Sequence, residues 1–248
     1  MFRILKKNRK IFLTSALAVV LIILVLAIYI NFNKTELINP PTAISVGNIE
    51  SIDALTIDDL YILNDGNVNI IYEPGTKVPR EIEGKFTTNR ILNQQDAAVA
   101  LMGLRELLLI SEYDFYCYSV YEGGTEGNEV TTFQLVQLHE GVPVDSGFRI
   151  TASKSGEPIS VRGKFMEVGD DIETDPVISY KDGLDLIDLE PGTYVRSAQL
   201  VISKMDEKGL RLCWVYETES RDNPTDGKYA FIDAITGEFV IEFTIAVS

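Results

Sequence analysis

Three patterns of apolar and polar positions divide the chain. The first is all-round apolar: residues 11–30 read IFLTSALAVVLIILVLAIYI, an uncharged run of 20 residues. In helical form it is long enough for the hydrocarbon core of a bilayer. The second pattern is helical, with Ala97, Leu101, Leu104 and Leu108 at spacings of three and four, Asn93 placed as N-cap and Asp96 in the first turn. The third alternates at period two, most clearly in Ile159-Ser160-Val161-Arg162-Gly163-Lys164-Phe165. That is the pattern of a half-buried strand.

Turn residues punctuate the alternating half at Gly123-Gly124, Gly141 and Ser155-Gly156. Further upstream, Asp65-Gly66 between LYIL and VNIIY predicts a hairpin turn between two short strands. An acidic stretch from Gly169-Asp170-Asp171 to Asp175-Pro176 then reads as a linker. Beyond it, VISYKDGLDLIDL fits a short helix with Ser179 as N-cap and Asp182 in the capping-box position. The runs LVIS, LRLCWVYE, KYAFIDA and EFVIEFTIAV follow as strands, the last with Phe239, Ile241, Phe243 and Ile245 on one face.

Helix-then-meander thus occurs twice, and the predicted fold class is α+β: a single N-terminal transmembrane helix followed by two helix-on-antiparallel-sheet modules. The predicted organisation is a tail over residues 1–10, a transmembrane signal anchor over 11–31 and a polar spacer over 32–50. A first module with a β extension covers 51–168, the linker 169–176 and a second module 177–248.

Charge adds an orientation. Arg3, Lys6, Lys7, Arg9 and Lys10 precede the apolar run with no acidic residue among them, so the positive-inside rule predicts a cytoplasmic tail, a single-pass membrane anchor and extracytoplasmic modules. Lys and Arg total 22 against 37 Asp and Glu, a net charge of −15. Such an excess argues against nucleic-acid binding, which needs a basic stripe to neutralise phosphates. The single His excludes two-His zinc motifs. No Gly-rich phosphate loop or nucleophile elbow occurs, and the sequence implies no catalytic residue, cofactor or metal. The acidic linker, with Asp170, Asp171, Glu173 and Asp175, lacks the ligand order and central Gly of a calcium loop. Cys117 and Cys213 are candidates for a disulfide, but each sits in an apolar run and also reads as a small buried hydrophobe.

Two stretches carry a family resemblance. FQLVQLHEGVPVDSG, from Phe133 and Gln134 through Gly141-Val142-Pro143-Val144 to Gly147, with FRITASKSGEPISVRGKF after it, resembles the fungalysin/thermolysin propeptide (FTP) domain. LCWVYE with Trp214, followed by YAFIDAITGEFV with Asp233 and Gly237, is similar to a PepSY module. Their order is that of thermolysin-type protease propeptides. The resemblance implies a non-enzymatic propeptide-like module that inhibits an exported protease or other hydrolase, or assists its folding, in trans. The alternative is a cell-envelope scaffold or sensory accessory protein acting through a membrane partner. The motif residues themselves read as structural or partner-contacting. Gly141 and Gly237 suit reversing turns, Asp233 suits an Asx turn, Trp214 suits the core and His139 a surface turn. Gly141–Val144 and the loop at Asn223-Pro224 are candidate contact surface.

Overall fold

The computed structural model describes residues 35–204, 209–221 and 227–244. Among these, eleven strands and three α-helices occur. β1 (Glu36–Leu37), α1 (Ile57–Leu63), β2 (Asn69–Tyr72), β3 (Pro79–Glu83) and α2 (Gln94–Gly103) come first. The long strands β4 (Phe115–Thr125), β5 (Asn128–His139), β6 (Val142–Ser153) and β7 (Pro158–Lys164) follow. The chain continues through α3 (Tyr180–Leu184), β8 (Thr193–Ser203), β9 (Arg211–Ser220), β10 (Lys228–Asp233) and β11 (Phe239–Thr244).

The α+β expectation is corrected: the described residues are mostly β, with 43% strand and 12% helix, and their strands join in one large mixed sheet. Hydrogen bonding links β11, β10, β9, β8, β6, β7, β3 and β2 in that order, with β5 and then β4 on the other flank of β6. The hinge of this arrangement is β6. One of its edges lies parallel to β8 at Val144 and Ile202, then turns to β7 from Gly147 onward. A single strand therefore belongs to both halves, and no helix layer stands between them. The helices are 10 and 5 residues long in α2 and α3, whereas the alternating pattern extends through strands of 11 and 12 residues in β4, β5 and β6.

Among the described residues no helix is long and apolar enough to cross a membrane. The single-pass anchor, and the membrane localisation drawn from it, are therefore not supported by the described residues. Residues 11–31, on which the anchor was expected, lie outside the described residues, as do residues 1–10. The predicted spacer is also not free. Glu36 and Leu37 pair in parallel with Ser197 and Ala198 of β8, and the Ile44 amide donates to the Phe115 carbonyl at 2.7 Å.

Local chemistry explains the remaining differences. LYIL is helical because Thr56 and Asp59 close a capping box ahead of α1. The bonds from Thr56 hold the Asp59 carboxyl below its ordinary range. Asp65 and Gly66, both at positive φ, terminate that helix instead of turning a hairpin, with the Gly66 amide donating to the Tyr61 carbonyl. Gly123 and Gly124 lie inside β4, and the chain reverses beyond them, between Thr125 and Asn128.

The two predicted helix caps are present: Asn93 accepts from the Asp96 amide at 3.0 Å and Ser179 from the Asp182 amide at 3.2 Å. α2 buries Ala97, Ala98, Leu101 and Met102 in one core with Phe133, Leu135, Phe148 and Ile150. A second core collects Val142, Val144, Val168, Ile202, Trp214 and Tyr216. Two β9 side chains hold the approach to α3, Trp214 Nε1 donating to the Ile178 carbonyl and the Tyr216 hydroxyl to the Tyr180 carbonyl, each at 2.7 Å.

Candidate functional site

Where β6 passes from one half of the sheet to the other, a concavity of about 500 Å³ opens. The strand register explains its composition. On β5, Phe133 and Leu135 face the first core, so Gln134 and Val136 must face away. The same alternation places Arg149 of β6 and Arg162 of β7 beside Gln134, since Gln134 pairs with Arg149 and Arg149 with Arg162. From β4 come Tyr116 and Tyr118, whose rings meet edge to face, 6.4 Å between centroids. β8 contributes Gln199 and Val201 from the opposite side.

Two glycines let the strands approach closely along its floor. Gly147 and Gly163 line the concavity at φ +157° and +150°, and a Cβ at Gly147 would stand 2.1 Å from the Leu135 carbonyl oxygen.

Tyr116 is a neutral donor. Burial pushes the Tyr116 phenol above its ordinary pKa, partly offset by its bond with Gln199. Burial, with the Glu217 carboxylate nearby, raises Tyr229 on β10, which also senses Tyr118. Tyrosine and arginine are the residue types that most often dominate protein–protein binding energy, because each offers a large contact area with a polar tip.

β4 forms one wall and is also a sheet edge. Among the described residues it pairs with β5 alone, and only at Phe115 does its outer side accept a backbone bond from another segment, from Ile44. Tyr118 is 58% exposed, and Val120 and Tyr121 are 51% exposed. No Lys or Pro interrupts the strand, and its edge is modified only by Glu122 and by a register shift between Cys117 and Ser119.

The residues singled out in the sequence fall into three groups. Gln134, Pro143, Val144 and Gly147 line the concavity. Phe133, Val142 and Trp214 are buried in the two cores; Gly141, Val142, Pro143 and Trp214 also border a smaller apolar hollow of about 240 Å³ beneath residues 37–41. Asp233 and Gly237 build the turn after β10: Asp233 Oδ1 accepts from the Ile235 and Thr236 amides, Arg211 lies 3.4 Å from Oδ2, and Gly237 has φ +75°. Glu140 and Gly141, at φ +49° and +83°, make the predicted reversal between β5 and β6, with the two positive φ values that suit a two-residue hairpin turn.

Other expectations change. His139 is buried, not a surface turn residue, and its Nδ1 is bonded to Glu112 Oε1 at 2.9 Å. Cys117 and Cys213 are not bridged to each other; burial raises the Cys117 thiol, which makes it a poor nucleophile. Asn223-Pro224 lies outside the described residues. Tyr116, Tyr118, Arg149, Arg162 and Gln199 were not legible as a site, because only the strand register brings them together. The three tyrosines within Tyr116–Tyr121 were the available signal.

No family model matches the chain, and no curated protein matches it. Among solved structures, the Bacillus megaterium YpeB C-terminal domain is similar, with a TM-score of 0.41 and 15% identity over 79% of this chain and 100% of that one.

Proposed function

We propose that the protein is a non-catalytic binding module that takes up an extended segment of a partner protein along the outer edge of β4, with no turnover of its own. The partner class we favour is a protease or other hydrolase, inhibited or assisted in folding, following the propeptide resemblance of residues 93–248. The observation that carries the reading is the open outer edge of β4 beside a concavity lined by tyrosine and arginine. An edge strand supplies a row of backbone donors and acceptors, and strand addition needs no reactive side chain. The adjoining hollow supplies pockets for alternate side chains of the added strand, which is where specificity arises in this mode.

Titrating the full-length chain into thermolysin-type proteases, with peptide hydrolysis and calorimetric heat as readouts, tests the reading. Saturable inhibition or heat is expected. Val120→Lys should weaken it by about tenfold or more, because a lysine on an edge opposes strand pairing. Ile62→Lys, at a 74% exposed position on α1, should leave it unchanged. Absence of both signals up to about 100 μM, an affinity of roughly 5–6 kcal/mol, would overturn the propeptide-like reading.

A further inference from the structure

Residues 106–148 hold no Lys or Arg, and Asp or Glu occupies eight of these 43 positions. The stretch runs from just beyond α2 through β4 and β5 into the first half of β6. Three of its acids, Asp114, Glu122 and Glu126, are exposed before, within and just beyond β4, and none forms an ion pair among the described residues. The rings on the same edge are also uncovered. Tyr118 and Tyr121 are more than half exposed; Lys181 and Arg221 stand over Tyr180 and Tyr194, but among the described residues no cation stands over either β4 ring.

The cations that share the concave face are set farther in or already face an acid. Arg149 and Arg162 lie two and three strands inward from β4, with Asp145 lining the same concavity and Glu81 3.8 Å from Arg162. Arg196, near Tyr229, is 3.2 Å from Glu217. Lys154 stands near Glu129 at the start of β5. The outer edge of β4 is thus left with acids and aromatic rings.

From this we infer that the segment taken up along β4 is basic, with lysine or arginine side chains lying over the rings of Tyr118 and Tyr121 on the concave face and beside Glu122 on the other. The inference rests on the strand-addition reading and deepens it by naming the chemistry of the segment. A strand added outside β4 lies about 4.8 Å from it, and Cβ atoms directly opposite each other are then about 5 Å apart. A long cationic side chain reaches a β4 ring at that spacing without crossing another strand. Tyr121 turns to the concave face, where its hydroxyl donates to Gln134 Oε1 at 3.4 Å, and Glu122, the next residue, turns to the opposite face. The ring face attracts a cation through its quadrupole, while the methylene stem of the same side chain packs on the ring. Asp114, Glu122 and Glu126 add a negative field that steers a basic segment toward the edge and repels an acidic one.

The test is a nitrogen–proton spectrum of the full-length chain titrated with a capped hexapeptide of alternating threonine and lysine, and with its glutamine and glutamate counterparts. The lysine peptide should shift β4 amides and bind about tenfold tighter than the glutamine peptide, with the glutamate peptide weaker still. Added salt should remove most of that preference, since the surface is exposed. Glu122→Gln, a change of similar shape at an exposed position, and the Tyr118→Leu, Tyr121→Leu double variant should each weaken the lysine peptide by about threefold or more and leave the glutamine peptide within about twofold. Equal affinities for the lysine and glutamine peptides with β4 shifts would overturn the basic segment and leave strand addition standing. Lysine-selective binding without slowed hydrogen exchange of β4 amides would keep the cation preference and overturn strand addition. Tighter binding of the glutamate peptide, or lysine binding unchanged in both variants, would overturn the inference, and no shift with any probe would overturn both readings.

Discussion

Replacing Gly147 with valine is expected to cost the protein about 3 kcal/mol or more. Two separate causes act together. The residue has φ +157°, at the limit of the range that side-chain-bearing residues avoid, and an added Cβ would meet the Leu135 carbonyl oxygen at 2.1 Å and the Val136 Cα at 2.9 Å. These are backbone atoms of the paired strand, so relief requires β5 and β6 to separate. That separation would break the ladder that holds Gln134 against Arg149. Chemical denaturation should show a lower midpoint, and any variant that still folds should lose partner binding as β5 and β6 part. A Gly147→Val protein with unchanged midpoint would show that the close approach of β5 and β6 is not required.

Gln137→Leu should be nearly as damaging, by about 2–4 kcal/mol, because the side chain substitutes for a missing strand partner. Gln137 is fully buried. Its Nε2 donates to the Met166 carbonyl at 2.8 Å, and its Oε1 accepts from the Met166 amide at 3.1 Å and from the Ser146 hydroxyl at 2.5 Å. One amide thus completes both backbone groups of the residue with which the chain leaves β7 for the second core. Leucine has a similar volume and no polar atom, so it leaves those groups buried and unpaired. Hydrogen exchange should report faster exchange of the Met166 amide in this variant even where the overall fold persists. Retention of wild-type stability would mean that water replaces the side chain fully.

What the sequence made legible was local. Asn93 and Ser179 act within three residues of themselves, the Gly141 turn needs only two positive φ values, and Asp233 bonds the backbone of its own turn. Each of these is decided by short-range sterics and hydrogen bonding, which a string of residue types encodes directly. The failures depended on distant partners. His139 is buried because Glu112, 27 residues away, bonds it. The predicted spacer is docked because β8, about 160 residues onward, offers an edge to Glu36 and Leu37. Two modules were expected because helix and meander recur in order, and the alternating pattern of β6 gives no sign that Val144 pairs with Ile202. The binding hollow belongs to the same class, since tyrosines of β4, arginines of β6 and β7, and Gln199 of β8 become neighbours only through register. LYIL shows the opposite error. Its apolar content suggested a strand, but the Thr56–Asp59 box fixed the helix start more strongly than composition opposed it.

The central claim is that β4 receives a strand from a partner, and backbone hydrogen exchange of the full-length chain with and without an inactivated thermolysin-type protease tests it most directly. Amides on the open side of an edge strand exchange with solvent, and strand addition protects them. The account predicts slowed exchange concentrated in residues 116–125, lost in Val120→Lys, with β2 and β11, at the ends of the sheet's main path, unchanged. Tight binding accompanied by protection of β2 or β11 and none in β4 would contradict it.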